Sequence, residues 1–139
     1  MVEAAHSKGN QERYEAGLAM RKQVLGEAHV RRSMDNVSDF GRPAQELVTE
    51  YCWGEIWTRE GLAPRERSMI NIAMLTVLNR GHELSAHVKG AVTNGVTKAE
   101  IQEILLQTAI YAGVPASLDS FRIAEDALNA LESEGPKVP

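Results

Sequence analysis

Cysteine is nearly absent from this chain. Cys52 stands alone, and one thiol can form neither an intrachain disulfide, nor a CxxC redox pair, nor a multi-cysteine zinc cluster. Its ordinary role is that of a small buried hydrophobe rather than a reactive thiol. Aromatic residues are scarce at 5%, and no window alternates polar with apolar long enough to make a strand. Long apolar runs are missing too: MINIAMLTVL and ILLQTAIYAG are too short and interrupted to span a bilayer, and MVEAAHSKGNQERYEA has no signal-peptide core. A cytoplasmic protein with no membrane partner is expected. There is no continuous basic stripe either, because 15 lysines and arginines are interspersed with 19 acids for a net charge of −4. Nucleic acid is therefore not an expected partner. A small anion still is, since nearby charges in a cleft outweigh the total.

What is present is apolar material, 43% of 139 residues, sufficient for one domain with a core of its own. Residues 1–10 are polar and aperiodic and are expected to form a flexible tail; the domain runs over 11–134, and 135–139 form a second flexible tail. Apolar residues recur at three and four residue spacings, as in Tyr14, Leu18, Val24 and Leu25, then Leu47, Val48, Tyr51 and Cys52, then Met69, Ile70, Ala73, Met74 and Val77. Pro43 and Pro64 suit first helical turns. Thr97-Lys98-Ala99-Glu100 reads as a capping box with Val96 and Ile101 as its hydrophobic staple, after Asn94-Gly95 closes the preceding helix. Gly113 and Pro115 separate helices near 97–112 and 116–133. The fold class is all-α, one domain of about six helices. The helices carrying MINIAMLTVL and ILLQTAIYAG are apolar around much of their circumference, which predicts burial on more than one side and hence subunit contact.

Chemistry concentrates in HELSAH. Glu83 and His87 are four apart on a helix expected over about 81–94, so they lie roughly 40° apart around its axis and can touch. A carboxylate beside an imidazole favours the charged ring and fixes its orientation. Spacing alone equally allows a solvated surface pair. A zinc site is not expected: this is H-E-x-x-x-H, and five residues turn His87 about 140° from His82. His82 reads as a first-turn surface residue. Trp53 and Trp57 share a helix face at i, i+4, as core, subunit interface or pocket wall. Arg31, Arg32, Arg59, Arg65, Arg67 and Arg80 each carry a fork that binds carboxylates, and spacing selects none.

The segments YEAGLAMRKQVLGEAHVRRS, WGEIWTREGLAPRERS, NRGHELSAHVKGAVTNGVTKAEIQEILLQTAIYAGVPAS and RIAEDAL resemble the carboxymuconolactone decarboxylase family from Tyr14 to Leu131. The resemblance implies an alkylhydroperoxidase-like fold, assembly as a homotrimer or homohexamer, and cofactor-free decarboxylation of a small anionic lactone. The dithiol branch of that superfamily carries C-x-x-C before the histidine; aligned on His87, those positions are Arg80 and Glu83 here. A cation and a carboxylate in place of two thiols suit acid-base work. The expected roles are His87 as proton donor, Glu83 as its orienting partner, Arg80 as donor to a substrate oxyanion, and Trp53 or Trp57 as an apolar wall beside the departing carboxylate. No metal and no cofactor are called for. The alternatives are a family member acting on another carboxylated or lactone substrate and a non-catalytic helical oligomer. Ala63 stands where relatives often carry a capping residue before the proline, so that cap should be weak.

Overall fold

The structure is a computed structural model that describes residues 8–139. The described residues contain helices and no strand, as the all-α reading requires. Most of the expected N-terminal tail lies outside them, and residues 8–10 already belong to the first helix. The chain divides into two compact units, one ending at Gly61 and one running from Leu62 to Pro139.

The first unit contains α1 (Lys8–Leu25), α2 (Glu27–Asp35), α3 (Arg42–Leu47) and a π-helical segment (Val48–Ile56). Gly26, at φ +88°, makes the turn from α1 to α2, a conformation glycine adopts without steric cost. The π-helical segment replaces the ordinary helix expected through Leu47 and Cys52. Its bonds skip one residue further than in an α-helix, as from the Trp57 N–H to the Cys52 carbonyl at 3.0 Å. Threonine hydroxyls take up carbonyls at its two ends: Thr49 Oγ1 donates to Gln45 O at 2.7 Å and Thr58 Oγ1 to Gly54 O. Here α1 and the π-helical segment approach backbone to backbone. A Cβ on Gly17 would stand 1.9 Å from the Thr49 carbonyl oxygen, and one on Gly54 would stand 2.3 Å from that of Arg13. Only hydrogen fits at either position. Val24, Trp53 and Trp57 form the small core beside this crossing, with Met20 and Leu25 against it. Arg13 bridges the same pair, its Nη2 donating to the buried Glu50 carboxylate at 2.8 Å.

The second unit packs α4 (Pro64–Val77), α5 (Gly81–Thr93), α6 (Lys98–Ala112) and α7 (Val114–Glu134) around Ile72, Leu84, Val88, Ala91, Leu105 and Leu128. Local chemistry explains each junction. Asn79, at φ 55°, closes α4: its N–H bonds Thr76 O and the Arg80 N–H bonds Leu75 O, the paired bonds of a Schellman turn. Gly95, at φ +91°, does the same for α5 through Val92 O and Ala91 O. The capping box forms as expected, with Thr97 Oγ1 accepting from the Glu100 N–H and Glu100 accepting from the Thr97 N–H at 2.8 Å. Val96 and Ile101 meet in the core as its staple. Gly113 alone separates α6 from α7, and Pro115 sits inside the first turn of α7 where its missing N–H costs nothing. After α7 the chain returns to this unit: the Lys98 N–H donates to Pro139 O at 2.7 Å, the Val138 N–H donates to Glu132, and Val138 packs on the core.

Two stability predictions arise here. Ala63 precedes α4 with extended backbone (φ −70°, ψ 157°) and no side-chain cap. Ala63→Ser should add about 1 kcal/mol, a rise in melting temperature of roughly 3 °C, with calorimetry as the check. The second concerns acid. Hydrogen bonding from the Thr97 backbone, with Arg65 adding to it, holds Glu100 below its ordinary value of 4.5; the Lys98 ammonium and the Val138 N–H do the same for Glu132. In the unfolded chain both would take up protons at higher pH than in the folded one. Their contribution is thus complete above about 4.5 and lost as pH falls through the depressed values. Melting temperature should fall between pH 5 and pH 3, and less steeply in Glu100→Gln; equal slopes would show that the carboxylate plays no part.

Candidate functional site

The site expected from HELSAH sits on the first two turns of α5 and the turn before it. Leu84, Val88 and Ala91 face the core, which fixes the rotation of α5 and brings His87 to the margin of that face, half-buried. Glu83 and Arg80 are exposed. Arg80 plays two structural parts through its backbone. Its N–H ends α4 in the Schellman turn, and its carbonyl accepts the Leu84 N–H at 2.8 Å, opening α5. Since arginine offers no side-chain acceptor, the first turn of α5 has no side-chain cap. The donors of that turn and the guanidinium together make the region electropositive, with Glu83 set into it at the third helical position.

A further residue joins them that sequence spacing does not point to. Asn71, on α4, brings its side-chain Nδ2 to 3.4 Å from Nδ1 of His87. An asparagine can present either its amide N–H or its carbonyl, so it can hold the ring in one orientation whether Nδ1 is bare or protonated. No alternation of residue types would have marked Asn71; the only clue was its place on the helix that the turn at Asn79 folds back against α5. His82 is exposed in the first turn, as expected.

Trp53 and Trp57 lie in the other unit. Their rings stack with centroids 4.7 Å apart at 27°, and both are buried with Val24. Cys52 differs from expectation in being exposed on the π-helical segment. Desolvation by its surroundings still raises its pKa, with Arg21 opposing, so it stays a protonated thiol. Among the described residues no group of three or more histidines, cysteines and carboxylates is placed to hold a metal ion, and no helix is long and apolar enough to cross a membrane. A cavity of about 450 Å³ opens between α6 and α7, lined by Ile101, Leu105, Leu118, Phe121 and Leu128 with Lys98 and Arg122 at its edge. None of the expected site residues lines it.

Comparison with known proteins adds three findings. Residues 42–126 match the family described as the carboxymuconolactone decarboxylase family. The chain is 41% identical over 129 residues to a 4-carboxymuconolactone decarboxylase of Acinetobacter baylyi, covering 93% of this chain and 96% of that one. It is 35% identical over 122 residues to a nitrosuccinic acid decarboxylase of Metarhizium robertsii, covering 88% and 85%.

Proposed function

The chain belongs to the carboxymuconolactone decarboxylase family, alkylhydroperoxidase-like in fold, and from that membership we propose that this decarboxylase converts 4-carboxymuconolactone to 3-oxoadipate enol-lactone, a step of protocatechuate breakdown. The observation that carries the proposal is the 41% identity extending over nearly the full length of both chains. The substrate supplies its own electron sink: as CO₂ leaves the γ-carbon, the bonding pair runs through the ring double bond into the lactone carbonyl. A cofactor serving that purpose is not needed. The protein then has to hold the anionic arm, stabilise charge arriving on the lactone oxygen, and deliver a proton to the ring carbon.

His87 delivers the proton. Asn71, with its Nδ2 3.4 Å from Nδ1, helps to orient the ring, and Glu83 one turn earlier is its orienting partner. Arg80 binds the substrate carboxylate or the developing oxyanion through its planar fork.

A second copy of the chain covers apolar surface left open in the second unit. Ile70, Met74 and Val77 on α4 are about half exposed, and Ile110 and Tyr111 at the end of α6 are 82% and 85% exposed. Surface of this kind marks association, here as a homotrimer or homohexamer, and a monomer by light scattering would remove the claim.

The test is purified protein assayed for loss of 4-carboxymuconolactone, with His87→Ala and Glu83→Gln beside the parent. Full activity in a folded His87→Ala protein would refute the assignment. The Metarhizium relative favours one other reading, a different small dicarboxylate whose electron sink is not a lactone. Turnover of nitrosuccinate but not of the lactone would select it.

A further inference from the structure

Arg21, on α1, is a charge without a counter-charge. The residue is 6% exposed. Its Nη1 meets Thr49 Oγ1 at 3.2 Å and Met34 Sδ at 3.7 Å, while its buried Nε has no hydrogen-bond partner. No ion pair of Arg21 exists among the described residues, and the buried acid of the same unit, Glu50, is bonded to Arg13 instead. The ionisable groups it senses are Cys52 and Tyr14. Neither is a carboxylate, and Cys52 is held toward the neutral thiol by its surroundings. The Thr49 hydroxyl spends its own hydrogen on Gln45 O. Burial pulls the guanidinium pKa down, yet arginine does not deprotonate in proteins. A buried cation left uncompensated is strongly destabilising, and an apolar side chain of similar length would fill the same space without that burden.

We infer that Arg21 is a binding residue for a small carboxylate, which supplies the buried guanidinium with the counter-charge it otherwise lacks. The geometry defines the ligand class. With Nη1 engaged by Thr49, the edge formed by Nε–H and Nη2–H is the one remaining to a ligand, and two parallel N–H groups match the two oxygens of a carboxylate. A single positive charge balances a monovalent carboxylate fully and a phosphate dianion only in part. Nε is shut off from solvent, so the ligand reaches it by displacing side chains that cover that edge, and once seated it is screened from water. Exclusion of water strengthens the pair, against the cost of moving those side chains. This inference does not depend on the substrate assigned above, since binding is read without turnover.

The experiment uses the full chain at pH 7, with sodium acetate titrated against sodium chloride at matched ionic strength, followed by calorimetric titration and thermal unfolding. Saturable binding with a matching rise in melting temperature is expected for the parent. Arg21→Met should lose that rise while melting, without added anion, at or above the parent's temperature. Arg21→Lys, which keeps the charge but lacks the fork, should bind acetate at least about tenfold more weakly. An acetate response that survives in Arg21→Met overturns the proposal. So does a parent that responds to acetate no more than to chloride, and so does an Arg21→Met protein that unfolds or melts well below the parent, because the guanidinium would then be serving the fold.

Discussion

His87→Ala is expected to lower turnover of 4-carboxymuconolactone by two to four orders of magnitude, the range associated with removing a positioned general acid. The fold should tolerate the change. His87 lies at the margin of the core formed by Leu84 and Val88, and its loss leaves Asn71, which is itself half-buried, within reach of water. Circular dichroism and melting temperature would therefore be near parental while the rate collapses. Asn71→Ala is expected to cost about tenfold, the equivalent of one net hydrogen bond, through a poorly oriented ring. Asn71→Asp separates orientation from mere packing: a carboxylate 3.4 Å from Nδ1 should favour the imidazolium and move the basic limb of the pH profile upward. A profile unchanged in Asn71→Asp would mean that the 3.4 Å contact has no bearing on the proton.

Gly17→Ala should be the most damaging single methyl in the first unit. The added carbon would stand 1.9 Å from a main-chain oxygen and within 3 Å of the Gly54 backbone. The obstacle is backbone on both sides, so no rotamer change relieves it and α1 must move off the π-helical segment. Overpacking in a core usually costs 1–3 kcal/mol when side chains can adjust; about 3 kcal/mol or more is expected where they cannot. Gly54→Ala should behave alike, at 2.3 Å from Arg13 O. Gly61→Ala, with nothing within 4 Å of the added carbon, serves as the control. Denaturant unfolding of the three variants checks the ranking, and a Gly17→Ala protein as stable as the Gly61→Ala protein would contradict the close approach.

What could be read directly from sequence was what depends on neighbours in the chain. Thr97 and Glu100 announce their helix because both partners of each capping bond lie within three residues. Asn94-Gly95 ends α5 for the same reason. The all-α class followed from periodicity, and α5 itself fell within a residue of its expected ends. The features that escaped depend on elements distant in sequence. The Asn71 contact joins residues 16 apart, and Arg21 meets Thr49 across 28. Gly17 and Gly54 look like any other glycines until two backbones are set against each other. Cys52 was expected inside because cysteine usually is; the wider turn of its segment places it outside. Glu83 and His87 show the limit most clearly: spacing says they share a face, and only packing reveals that the side chain at Nδ1 comes from another helix.

The π-helical segment also constrains chain length. Nine residues wound with bonds to the fifth neighbour complete fewer turns than the same nine in an α-helix, so Val48–Ile56 contains slack that an α-helix would not. Deleting one residue there would let the segment rewind as ordinary helix without interrupting it. It would also change the angle from each residue to the next within the segment, turning Trp57 away from Trp53 or Gly54 away from α1. Substitutions and deletions should thus be tolerated by different rules in this stretch: Glu55 and Ile56, both exposed, accept exchange far more readily than loss.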